Sequence, residues 1–137
     1  MQSILDAICD LINTALDDEN TKVVVGALPS HEGVSIQQAG GGIEADYIPK
    51  TQVHRSNFAI NSKYRVQETA IQKLDAISYG LVKRIAYPET EEYQITNIQV
   101  TGENSFLGQE ENETYLYGMS IVVFWFDKRQ AEDYPRG

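Results

Sequence analysis

Arg65–Tyr87, RVQETAIQKLDAISYGLVKRIAY, is the stretch that decides the fold. At 100° per residue Val66, Ala70, Ile71, Leu74, Ile77, Leu81, Val82 and Ile85 fall in one apolar stripe. Gln72, Lys73, Asp75, Tyr79 and Lys83 point the other way. Pro88 has no amide hydrogen and its ring clashes with the preceding turn, so the helix stops just past Tyr87. Gly80 falls on the polar side and costs ~1 kcal/mol against alanine, which argues for another element passing close by. An amphipathic helix of this length needs a partner surface, and extended segments lie on either side of it.

Upstream, Thr51–Asn61 reads as extended, with Val53, Phe58 and Ile60 facing the core and a slip in alternation between Val53 and Phe58 that suits a bulge. Asn61 and Ser62 are expected to cap the long helix. Further upstream, Ile4, Leu5, Ile8, Leu11, Ile12, Ala15 and Leu16 form one face of a first helix, with a capping box at Ser3 and Asp6. Lys22–Ala27, KVVVGA, reads as a buried strand. Leu28–Lys50 then reads as a long loop around Gly40-Gly41-Gly42, with a short strand at Val34 and Ile36, and is expected to meet a partner.

Downstream, Tyr93–Thr101 alternates as a strand, Gly102–Glu113 reads as a polar connection, and Thr114–Asp127 is the strongest strand of the chain. The last of these is apolar on both faces over its second half, as a strand covered on both sides would be. The expected fold is α+β: a single compact domain over residues 1–127, with an about four-stranded, mainly antiparallel sheet and two helices mainly on one face. Residues 128–137 read as a polar tail.

The chain has 137 residues, enough for one core, and a formal net charge of −9, which argues against gripping nucleic acid through its phosphates. The charge is blocked. Residues 1–49 hold eight acids against Lys22, residues 50–84 hold seven bases against Glu68 and Asp75, and Ile85–Phe126 holds seven glutamates and no base. Such unlike surfaces let the basic middle of one copy meet an acidic surface of the next. No apolar run is long enough to span a bilayer, and the amino terminus has no basic region of a secretory signal, so a soluble product made in a cytoplasm is expected.

No reaction chemistry emerges. Cys9 is alone, which excludes an internal disulfide or a cysteine-based metal site; His31 and His54 are isolated in different segments. Ser30-His31-Glu32 has no nucleophile elbow, and the glycine triplet matches no phosphate-binding pattern. Catalytic, cofactor and metal residues are therefore assigned as none.

The arrangement resembles a known family. VVVGALPSHEGVSI followed by AGGGIE after an amino-terminal helix looks like the opening of the minor capsid and tail-terminator proteins of long-tailed bacteriophages. SNFAINSK leading into QETAIQKLDAISYGLVK is similar to their central strand and helix, and NSFLGQEENETYLYGMSIVVFWF resembles their closing segment. The resemblance covers roughly Ile4–Asp127. It implies a structural, non-enzymatic virion protein without cofactor, assembled in the host cytoplasm, that forms a homo-oligomeric ring (a hexamer being one option) ending the tail tube. The implied partners are the tail tube protein and head completion proteins. Gly40, Gly41, Gly42, Arg55, Lys63, Arg65, Glu103, Phe106, Leu107, Glu110, Glu111 and Glu113 are the residues assigned to subunit or partner contact. A head completion or head–tail joining protein is the alternative, and a small ligand-binding α+β domain a more distant one.

Overall fold

The computed structural model describes residues 2–17, 22–28, 32–43, 53–82, 87, 89–90, 93–110 and 113–127. Their order is α1 (Gln2–Leu16), β1 (Val24–Val25), β2 (Gly33–Ile43), β3 (Val53–Tyr64), α2 (Gln67–Val82), β4 (Tyr93–Gln109) and β5 (Tyr115–Asp127). The strands form one sheet in the order β1-β2-β3-β5-β4. Every neighbouring pair is antiparallel except β1 with β2. The fold is α+β, with five described strands where about four were expected; the extra one is β2, which lies in the segment read as a long loop with a short strand at Val34 and Ile36.

The core lies between one sheet face and the helices. Val34 and Ile36 of β2, Phe58 and Ile60 of β3, Ile121 and Val123 of β5, and Ile95 and Ile98 of β4 are buried on it. Alternation at period two puts the side chains of β2, β3 and β5 on one face, and a register shift after Ile95 brings Ile98 to the same face of β4. α2 packs across β3, β4 and β5 through Ala70, Leu74, Ile77 and Leu81, which are four of the expected stripe residues. Burying each large aliphatic side chain contributes about 1.5–3 kcal/mol, so this stripe is what fixes α2 to the sheet. Val66 and Val82, at its two ends, are exposed instead.

α1 lies beside α2 and is tied to the β1 side by Asn13, whose Oδ1 accepts from the Val23 amide at 2.8 Å. The seam between the helices explains Gly80. A Cβ there would stand 2.5 Å from the Ala15 Cβ, so glycine is what lets α1 approach.

Several local expectations are corrected. Ser3 lies inside α1 and not at its cap, and no acid occupies the first turn. Asn61 and Ser62 still belong to β3; α2 starts at Gln67, where Val66 O accepts from the Thr69 and Ala70 amides, and Ser62 Oγ donates to Ala70 O. The KVVVGA segment holds a short strand whose Val24 and Val25 are exposed, β2 being the one described strand that pairs with it.

The expected loop at Leu28–Lys50 contains an eleven-residue strand that includes the glycine triplet; pairing with β3 outweighs the low strand preference of glycine. The β3 ladder runs without a shift, and the bulge lies across from it, between Gln38 and Gly40. β4 continues through the expected polar connection to Gln109, with four register shifts against β5. The shift between Ile95 and Asn97 is what brings both Ile95 and Ile98 to the core, against the strict alternation read from the sequence. The expected helical extension to Tyr87 is not seen: Tyr87 itself is not helical, and residues 83–86 and the tail 128–137 lie outside the described residues.

Candidate assembly interface

The expected contact residues divide between the two ends of the sheet. At one end β4 and β5 meet in a tight turn, where the Glu113 amide donates to Glu110 O and the Glu110 amide to Thr114 O, both at 2.9 Å. Glu113 sits at φ 67 to close it. Lys63, on β3 beside Leu116, is 4% exposed and extends its Nζ to Glu110 Oε1 at 3.0 Å. Its charge is thus met inside the chain and braces the turn, leaving it no free role on the surface.

Two apolar side chains flank this end. Phe106 stacks edge-on against Tyr117, centroids 5.5 Å apart, and the Tyr117 hydroxyl accepts from Gln67 Nε2 at the start of α2. Leu107 lies over Gly118 on the other face, where an added Cβ would meet Leu107 Cδ1 at 2.9 Å and Asn61 Oδ1 at 2.6 Å. A 320 Å³ cavity opens beside it, lined in part by Ala59, Gly102 and Ser105. Phe106 and Leu107 are each 56% exposed even so. Arg65 belongs to the same end: its amide donates to Glu32 Oε2 at 2.9 Å, fastening the start of β2.

At the far end Gly40, Gly41 and Gly42 pair with Asn57, Ser56 and Arg55, and the Arg55 side chain is exposed. Beside them Trp125 is buried, donates Nε1–H to Ser56 Oγ at 3.0 Å and stacks on His54 at 4.4 Å. Glu103 is carried on β4, and Glu111 lies outside the described residues.

Sequence reasoning missed a third region. Between α2 and β4 runs a groove of about 780 Å³, lined by Asp75, Ser78, Tyr79, Val82 and the Asn97–Val100 segment of β4. Tyr79 is 70% exposed on its rim, and Asp75 accepts from Asn104 Nδ2. Asn97–Val100 is the longest run of β4 without a register shift. The signal was present as the spacing Tyr93, Ile95, Ile98, Val100, which requires a bulge and then a regular segment.

This arrangement offers surfaces more than chemistry. Among the described residues no three of His, Cys, Asp and Glu gather as metal ligands. Burial, then Asp6 and Asp10, push the Cys9 thiol above its ordinary pKa, which favours the protonated thiol. His31 lies outside the described residues, and no described helix is long and apolar enough to cross a membrane.

Comparison with known proteins gives the context of these surfaces. The search of curated proteins finds no match. Among solved structures the chain is similar to one from the virion of a native gene transfer agent particle, with 14% identity, a TM-score of 0.56, and coverage of 87% of this chain and 84% of that one. That likeness is one of fold. The model of the bacteriophage tail terminator protein family matches residues 7–123, nearly the whole of the described domain. The chain belongs to the bacteriophage tail terminator family and is a structural protein of the virion, placed at the end of the tail.

Proposed function

We propose that the chain works without catalysis, as the repeating subunit of a ring that ends the tail tube and joins it to the head, with the tail tube protein and head completion proteins as partners. Assembly would take place in the host cytoplasm. The observation that carries this reading is the braced hairpin end. Lys63 and Glu110 hold the turn, Tyr117 and Gly118 hold the flanking strand, and Phe106 and Leu107 still face outward. Large apolar side chains exposed on the two faces of a rigid hairpin are the kind of anchor that protein interfaces use, because little order has to be gained on docking.

The test is the double substitution Phe106→Ser and Leu107→Ser. Both side chains are more than half exposed, so the fold should survive. In assembly reactions with tail tubes and heads, the variant is expected to stay folded by circular dichroism yet fail to cap tubes or to join them to heads. Normal joining by the folded variant would remove the hairpin end from the account.

A further inference from the structure

We propose that neighbouring subunits join edge to edge through their sheets, the Val24–Val25 edge of one copy, beyond the Val23 amide that Asn13 holds, lying along Asn97–Val100 of the next, in the groove beside α2. This rests on the ring reading above and names the contact within it.

The two edges of the sheet are unlike and suited to each other. On one side β1 pairs only with β2 among the described strands. The Gly26 amide donates to Ile36 O, so strand alternation turns the amide and carbonyl of Val25 outward. Val24 and Val25 are 42% and 57% exposed, an arrangement that is unfavourable for edge valines unless something covers them.

On the other side β4 is the opposite edge. Its register shifts protect most of it from pairing, since a bulged edge cannot continue a ladder. Two regular runs remain: Tyr93–Ile95, where Gln94 is already bridged to Glu89, and the longer Asn97–Val100. The latter is a regular four-residue run, and it lies where Tyr79 and Val82 stand exposed over a groove of mixed apolar and polar lining. A short extended segment rich in valine fits such a place, its backbone completing the edge and its side chains resting against Tyr79 and Val82.

Charge agrees with this pairing. Lys22 is the one base in residues 1–49 and is exposed immediately before the valines. Asp75, an acid, lines the groove, and among the described residues no base does. The contact is heterologous, which is the type that closes into a ring. The two edges also differ in height: β1 lies at the level of Ser35 and Ile36, across from Gly118 and Met119 by way of β3, while the groove lies at Ile121–Phe124. Strands tilted to the ring axis accommodate such a stagger.

Cross-linking tests the contact. Val25→Cys and Gln99→Cys are placed together in a Cys9→Ser background, both positions being exposed, and the protein is treated with a short bismaleimide. The expected result is a ladder of covalent oligomers for the double variant and none for either single one. Lys22→Glu, which leaves the core untouched, is expected to weaken self-association about tenfold, as reversal of a charge at a docking edge does. Rings seen by electron microscopy without the cross-link would overturn the edge contact and leave the ring reading standing. Absence of both rings and cross-link, in solution and on tails, would overturn the two together.

Discussion

At the residue scale, Gly80 shows how a local cost locates a tertiary contact. Alanine would gain about 1 kcal/mol in helix propensity, yet its Cβ would fall 2.5 Å from that of Ala15. Overpacking of a rigid seam costs about 1–3 kcal/mol, so the clash outweighs the gain. Gly80→Ala is expected to lower the urea midpoint without changing the slope; an unchanged or raised midpoint would show that the helices can move apart freely. The sequence made this glycine conspicuous, because it interrupts an otherwise good helix former pattern. It did not reveal that Lys63 is buried and paired with Glu110, since nothing local to either residue distinguishes that pair from two solvated charges. The charge pattern suggested contacts between copies, and this pair is satisfied within one.

At the element scale, the helices and the final strand were legible because their apolar periodicity is strong and uninterrupted, as in Ala70, Leu74, Ile77 and Leu81 of α2. The strands that were misread are those in which pairing overrides local preference. β2 runs through three glycines, and β4 through a polar, glycine-containing stretch, because each has a long regular neighbour to hold it. The same asymmetry sets stability. β3 is paired on both sides along an unbroken ladder with β5, whereas β4 is a bulged edge and β1 has two residues. Amide hydrogen exchange should therefore be slowest in Phe58–Ile60 and Met119–Val123 and fastest in β1 and the outer amides of β4. Equal protection across all five strands would contradict this order.

At the scale of the whole molecule, one sheet face is sealed by helices, while among the described residues Val24–Val25, Asn97–Val100 and the hairpin end carry exposed side chains. A protein whose exposed features are two unlike edges and a braced apolar end is suited to meeting other subunits. The family was legible in the sequence as an arrangement of segments, and the match over residues 7–123 agrees with it. The surfaces proposed for contact were only partly legible. Phe106, Leu107 and Glu110 converge at one end, but the α2–β4 groove depends on where a bulge resets the register, which no single segment announces.

The most direct test of the account is electron cryomicroscopy of intact virions carrying this chain, resolved at the junction of tail and head. The expected result is a single closed ring of copies at the end of the tail tube, each presenting its hairpin end to a neighbouring protein. Copies distributed along the tube, or absent from that junction, would contradict it.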